Sequence, residues 1–206
     1  MHLIFPKNSP TNSLVIDSAT QDVLYNISTT STGLVSQKTV IRDARWREIA
    51  HWNNPHMGLG EITLRGETKQ VSDWLHKDGR FTSTRKFLAP NGKMYAWREI
   101  LSNLNFKLVD CGTGEAVGRS HRSRLGIFFK PRKMGLEVAD DLVPILDDVI
   151  LSFIILERNM KDATGVQRRS YAAAMSFFEL TCNAGYWLST ESHILYRTRY
   201  HVRICQ

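Results

Sequence analysis

Asp140-Asp141-Leu142-Val143-Pro144-Ile145-Leu146-Asp147-Asp148-Val149-Ile150-Leu151-Ser152-Phe153-Ile154-Ile155-Leu156-Glu157-Arg158 is the stretch that decides the fold. It opens on acidic residues suited to a helix N-terminus and leads to Arg158 and Lys161, which suit the opposite end of the dipole. Pro144 stands early enough to be tolerated in a first turn. Between the ends the residues are apolar almost all round. Only Asp148 and Ser152 form a thin polar line, with Asp147 beside it. A membrane span needs roughly 20 apolar residues with few charges. Residues 142–156 supply fifteen positions, two of them adjacent aspartates. Each aspartate costs about 2.5–3.5 kcal/mol near a bilayer centre. A helix apolar on every side and too short to span is a core helix surrounded by protein. Asp140-Asp141 reads as a cap, and Asp147-Asp148 as a rim or hydrogen-bonded core feature rather than acid–base machinery.

Upstream of the helix, the first ~135 residues alternate in short segments separated by turn residues, the period of half-buried strands. Strands are expected near 14–17, 22–29, 34–42, 46–52, 59–65, 70–75, 84–90, 93–100, 105–110, 115–121, 125–130 and 134–138. Trp46, Ile49 and Trp52 also fit a helical turn. Two hairpins are explicit. Asn91-Gly92 supplies the positive φ angles of a tight turn between Arg85–Ala89 and Lys93–Trp97. Phe106–Asp110 turns through Cys111-Gly112-Thr113-Gly114 into Glu115–Arg119. Period two with regular turns argues for a meander, hence a sandwich or a closed barrel. Downstream, residues 163–206 lose stable patterning. They read as a C-terminal extension, part-helical around Tyr171–Leu180 or disordered, outside a domain of residues 1–162.

Composition narrows the class. A hydrophobic content of 42% is ordinary for a globular chain. Met1–Lys7 holds three consecutive apolar residues before Pro6, against the roughly 7–15 of a secretory signal. The three cysteines, Cys111, Cys182 and Cys205, are odd in number and far apart, which fits a reducing, cytoplasmic setting better than a disulfide framework. The formal charge of +7 is uneven. Residues 77–133 hold 13 Lys/Arg against 4 Asp/Glu, whereas residues 137–162 hold 2 against 7. A basic middle of this kind attracts phosphates.

The segments Asn8-Ser9-Pro10, Val23-Leu24-Tyr25, Phe87 through Trp97, Leu108-Val109-Asp110, Thr113-Gly114-Glu115, Leu125 through Lys130 and the apolar helix together resemble an uncharacterised domain family abundant in mushroom-forming fungi. Members of that family look related to the tubby-like superfold, which includes the plant LURP-one-related proteins and the phospholipid scramblases. The resemblance covers roughly residues 1–160. It implies a mostly-β fold, a closed antiparallel barrel of about twelve strands threaded by one buried hydrophobic helix at about 140–160. A helix inside a barrel meets apolar side chains in every direction, which accounts for the pairing of amphipathic strands with one all-apolar helix.

No Gly-x-Ser-x-Gly elbow, phosphate-binding loop or dinucleotide fingerprint occurs, so neither an enzyme nor a cofactor is expected. His51 and His56 fall in an expected loop without Cys or carboxylate partners at metal-site spacing; no metal is expected, and His51 reads as a strand-end residue. Cys111 has no context that lowers a thiol pKa. The best remaining constellation is Arg119-Ser120-His121-Arg122-Ser123-Arg124 with Lys130-Pro131-Arg132-Lys133. On a strand, Arg119 and His121 face one way, and Ser120 and Arg122 the other. The expected site is therefore an anionic-headgroup patch of Arg119, His121, Arg122, Arg124, Lys130, Arg132 and Lys133 gathered at one barrel rim. Phosphoinositide binders among tubby-like domains support that expectation, although no residue-by-residue site is carried over. The corresponding function is a non-enzymatic, cytoplasmic domain that binds anionic lipid headgroups peripherally at a membrane. Rival readings are a protein-interaction scaffold and a scramblase-like lipid mover. Nucleic acid ranks lower, because the basic run lacks interleaved aromatics apart from Phe128 and Phe129.

Overall fold

The computed structural model describes residues 1–7, 9–32, 36–55, 58–79, 82–100, 105–123 and 132–159, all within one compact unit, Met1–Lys161. Thirteen strands form one antiparallel sheet. In chain order they are β1 (His2–Phe5), β2 (Ser13–Asp17), β3 (Val23–Ser31), β4 (Ser36–Asp43), β5 (Glu48–Pro55), β6 (Glu61–Leu64) and β7 (Glu67–Gln70). After a helical turn, α1 (Val71–Trp74), come β8 (His76–Lys77), β9 (Arg85–Leu88), β10 (Met94–Ile100), β11 (Asn105–Asp110), β12 (Ala116–His121) and β13 (Met134–Val138). A 3₁₀ helix, Asp140–Ile145, then feeds a second α-helix, α2, whose described part covers 146–159.

Every strand pairs with its sequence neighbours except at one place. The order runs β7-β6-β5-β4-β3-β2-β1-β13-β12-β11-β10-β9-β8, so β1 joins β13 while β7 and β8 are the two edges. The closed barrel expected from the sequence is therefore corrected to a sheet split at a single seam. The residues expected to form a strand at 70–75 explain the split. Val71, Trp74 and Leu75 are spaced i, i+3, i+4, and they coil into α1 rather than extend. Its closing hydrogen bond, Leu75 N–H to Val71 O, is 2.7 Å. Val71 and Leu75 are fully buried, and Trp74 packs on Phe87 with 5.7 Å between ring centroids. Apolar burial here wins over strand continuation. The edge it leaves is short and polar: all four residues of β7, Glu-Thr-Lys-Gln, are exposed, as suits an edge strand.

Other strand expectations shift by register. The 46–52 strand lies at Glu48–Pro55, with Trp46 in the preceding turn, 68% exposed and at φ +63°. β1 and β8 lie outside the expected ranges, β7 meets them only at Gln70, and the 125–130 expectation lies outside the described residues. Both explicit hairpins form. Gly92 (φ +75°) and Gly114 (φ +77°) occupy the left-handed positions that a side chain would strain. Asn91 Oδ1 accepts the Lys93 amide at 3.1 Å.

The sheet curls around α2. Phe153 packs against Phe5 of β1 (5.7 Å between centroids) and Trp97 of β10 (5.9 Å). Val149, Ile150, Leu151, Phe153, Ile154 and Ile155 are completely inaccessible to solvent. Burying each such side chain contributes on the order of 1.5–3 kcal/mol, so this helix is the centre of the core. Among the described residues no helix is long and apolar enough to cross a membrane. The helix start differs from expectation. Asp140 and Asp141 sit in the 3₁₀ segment, where Ala139 is the N-cap and no side chain caps it, and Pro144 lies within that same segment. A proline that cannot donate its amide is accommodated by the tighter 3₁₀ turn ahead of the α-helix proper.

The polar line on α2 is fully partnered. Tyr25 Oη donates to Asp147 Oδ1 at 2.7 Å. Arg65 grips Asp148 with both terminal nitrogens, at 2.8 and 2.9 Å. Trp97 Nε1 donates to Ser152 Oγ at 2.8 Å, and that hydroxyl donates on to Val149 O. Asp147-Asp148 is thus a hydrogen-bonded core feature, and burial together with Asp147 pushes the Tyr25 hydroxyl far above its ordinary pKa.

Candidate anion site on the outer wall

β12 reads as the sequence suggests. Ser120 points inward and is buried, its Oγ accepting the Phe106 amide at 2.7 Å. Arg122 turns to the same side and brings Nη2 to 3.7 Å from Glu157 Oε2 on α2. Glu157 is only 1% exposed. Arg119 and His121 take the outer face. Here Arg119 is exposed, whereas His121 is covered, packing tilted on His2 of β1 at 5.1 Å between centroids. Room for that imidazole comes from Gly135, its cross-strand partner. A Cβ at Gly135 would lie 2.6 Å from His121 Cε1 and 2.7 Å from Leu3 O.

The sheet register then does what no local pattern could. Arg98 on β10 pairs with Lys107 on β11, Lys107 with Arg119 on β12, Arg119 with Glu137 on β13, and Glu137 with His2 on β1. Three cations thus stand side by side across three strands, with one carboxylate beyond them. Like charges directly opposite one another destabilise a sheet unless something offsets them. Beside this row lies a cavity of about 360 Å³ lined by Arg119, Ser120, His121, Arg122, Ser123, Arg132, Asn105 and Glu137.

Of the residues expected to bind an anion, the structure brings together Arg119, His121, Arg122 and Arg132 around this one cavity. Lys133 is exposed and does not line it. Arg124 and Lys130 lie outside the described residues. Two of the guanidiniums have internal partners: Arg132 Nη2 donates to Glu137 Oε1 at 3.0 Å, and Arg122 faces Glu157. Among the described residues Arg119 has no ion-pair partner, and Arg122 Nε has no hydrogen bond. Burial, then the charges of Arg132 and His2, push the His121 pKa down to about 4, so its imidazole is neutral at physiological pH.

Arg98, Lys107, Asn105, His2 and Glu137 were not singled out from sequence. His2 and Ile4 alternate with buried Leu3 and Phe5, a four-residue strand signal cut short by Pro6. His51 lies within β5, not in a loop, and its Nδ1 is 2.6 Å from Glu48 Oε1. His56 lies outside the described residues. Cys111 is exposed in the β11–β12 turn.

A second opening lies at the seam. A cavity of about 370 Å³ reaches inward between β6 and the β9–β10 turn as far as the Arg65–Asp148 pair, with Trp74 and Leu88 on its walls.

Fold and site together define a β-rich domain wrapped on a buried helix, with a cationic pocket on its outer wall. The chain belongs to a family of unknown function (DUF6593), which matches residues 8–162. No curated protein and no solved structure matches it.

Proposed function

We propose that this domain is a non-enzymatic binder of phosphate-bearing lipid headgroups, acting peripherally at an anionic membrane surface. The observation that carries the reading is the in-register row Arg98–Lys107–Arg119 beside the Arg119/Arg122/Arg132 cavity. An anion bridging these cations offsets their mutual repulsion, and guanidinium forks match phosphate oxygens in two-point contacts. The resemblance to tubby-like and LURP-one-related domains supports the same reading. A scramblase-like role is not proposed: α2 would have to leave a core in which it is buried on all sides.

The test is co-sedimentation of the full chain with neutral, phosphatidylserine or phosphoinositide vesicles at low and high salt. The expected result is binding to anionic vesicles only. Binding should fall at high salt and drop at least tenfold in Arg98→Ala/Lys107→Ala/Arg119→Ala. Binding that ignores salt or survives the triple change removes the headgroup from the account.

One observation favours a second reading, a protein-interaction domain. The seam exposes β7 as a sheet edge, and an extended peptide can add to such an edge through main-chain hydrogen bonds. Failure of all vesicle binding, with a partner lost on a Thr68→Pro change in β7, would favour it.

A further inference from the structure

We propose that His2, His121 and Glu137 form a site for a divalent transition-metal ion of the zinc class on the outer wall. The three side chains come from β1, β12 and β13, and a donor atom from each lies within 4.8 Å of the others. The two Nε2 atoms are 3.4 Å apart. Two nitrogens on a tetrahedral zinc, at Zn–N of about 2.0–2.1 Å, stand roughly 3.3–3.4 Å from each other. The imidazoles therefore already hold the separation a metal imposes. Without a metal, the same contact is a long hydrogen bond between two rings.

Each ring is held from behind. His2 Nδ1 lies 3.1 Å from Ser18 Oγ, the kind of outer partner that fixes the tautomer and aims Nε2 outward. His121 is buried to 7% exposure and seated against Gly135, with its ring packed on that of His2. Its Nδ1 makes no hydrogen bond among the described residues and stands 3.8 Å from Glu137 Oε1. Glu137 is half-exposed, and its carboxylate, which accepts from Arg132 at 3.0 Å, would exchange that guanidinium for the ion as the anionic ligand. Arg119 and Arg132 flank the site and oppose a dication, so the affinity belongs in the micromolar rather than the nanomolar range. Two imidazoles with one carboxylate suit zinc, cobalt, nickel or copper, and not calcium or magnesium, which take oxygen ligands.

The inference stands apart from the headgroup reading and is tested without any anion. Untagged full-length protein in phosphate-free buffer is titrated with Co(II), watched by visible absorption, and the Co(II) is then displaced with Zn(II). One equivalent should saturate with the intense visible bands of a four-coordinate ion. His2→Gln, a part-exposed position, should weaken binding at least tenfold while near-ultraviolet circular dichroism shows the fold retained. Ser18→Ala should weaken it roughly tenfold, the usual loss on removing an outer partner. Cys111→Ser should change nothing. No saturable uptake up to millimolar metal overturns the site. So does uptake that is unchanged in His2→Gln, or abolished in Cys111→Ser.

Discussion

The two ends of the buried helix are tied to the wall in different ways. Near its start, Arg65 clasps Asp148 through two short hydrogen bonds, and Tyr25 holds Asp147. Near its end, Arg122 faces Glu157 across 3.7 Å, with its Nε unbonded. Both acids are 1% exposed, so both need a compensating charge. The difference lies in the arginines. Arg65 is committed to the core with fork geometry that leaves little for a ligand. Arg122 compensates its glutamate from a distance and also lines the cationic cavity. One pair is a clamp, and the other keeps a cation in reserve at a binding surface.

The largest effect expected from this contrast is at the clamp. Arg65→Ala leaves Asp148 buried without its partner and should cost about 3 kcal/mol or more in urea unfolding, a loss typical of breaking such a pair. Arg122→Ala should cost about half as much, while reducing anionic-vesicle binding more strongly than Arg65→Ala does. If the two variants proved equally unstable and equally able to bind, the contrast between clamp and reserve would be gone.

A separate effect is expected on acid sensitivity. His121 is held neutral in the fold, with a pKa of about 4 against the ordinary 6.5. Between those values the unfolded chain binds more protons than the folded one, so stability rises with pH. Lowering the pH from 6.5 towards 4 should therefore erode stability, with little further loss from this group below 4. Its neighbours His2, Arg119, Arg132 and Glu137 share the same patch of wall. Urea midpoints across that window should lose this slope in His121→Gln. A slope that persists would place its origin elsewhere in the chain.

Much of the scaffold was legible in the residues. Fifteen nearly all-apolar positions between charged ends could only be a core helix, because length and aspartates together forbid a span. The two hairpins were written in Asn91-Gly92 and Gly112–Gly114, where local turn chemistry dictates the backbone whatever surrounds it. Strand alternation also separated Ser120 and Arg122 from Arg119 and His121, and the structure turns the first pair inward. These are consequences of short-range geometry, and short-range geometry is what a sequence prints directly.

Closure was not of that kind. Whether β7 meets β8 depends on Val71, Trp74 and Leu75 gaining more from burial as a helical turn than from extending the ladder. That comparison needs the rest of the core in place. The site was only half legible for the same reason. Arg119, His121, Arg122 and Arg132 announce themselves as a basic run, yet Arg98 and Lys107 join them only through sheet register. His2 reaches Glu137 only because β1 pairs with β13 across more than a hundred residues. The sequence by itself determined a meander of strands, a buried helix and a surplus of positive charge. The tertiary structure alone decided that the meander splits at one seam, and which cations, imidazoles and carboxylates stand together on its wall. Pairing between distant strands is set by global burial, and no local period records it.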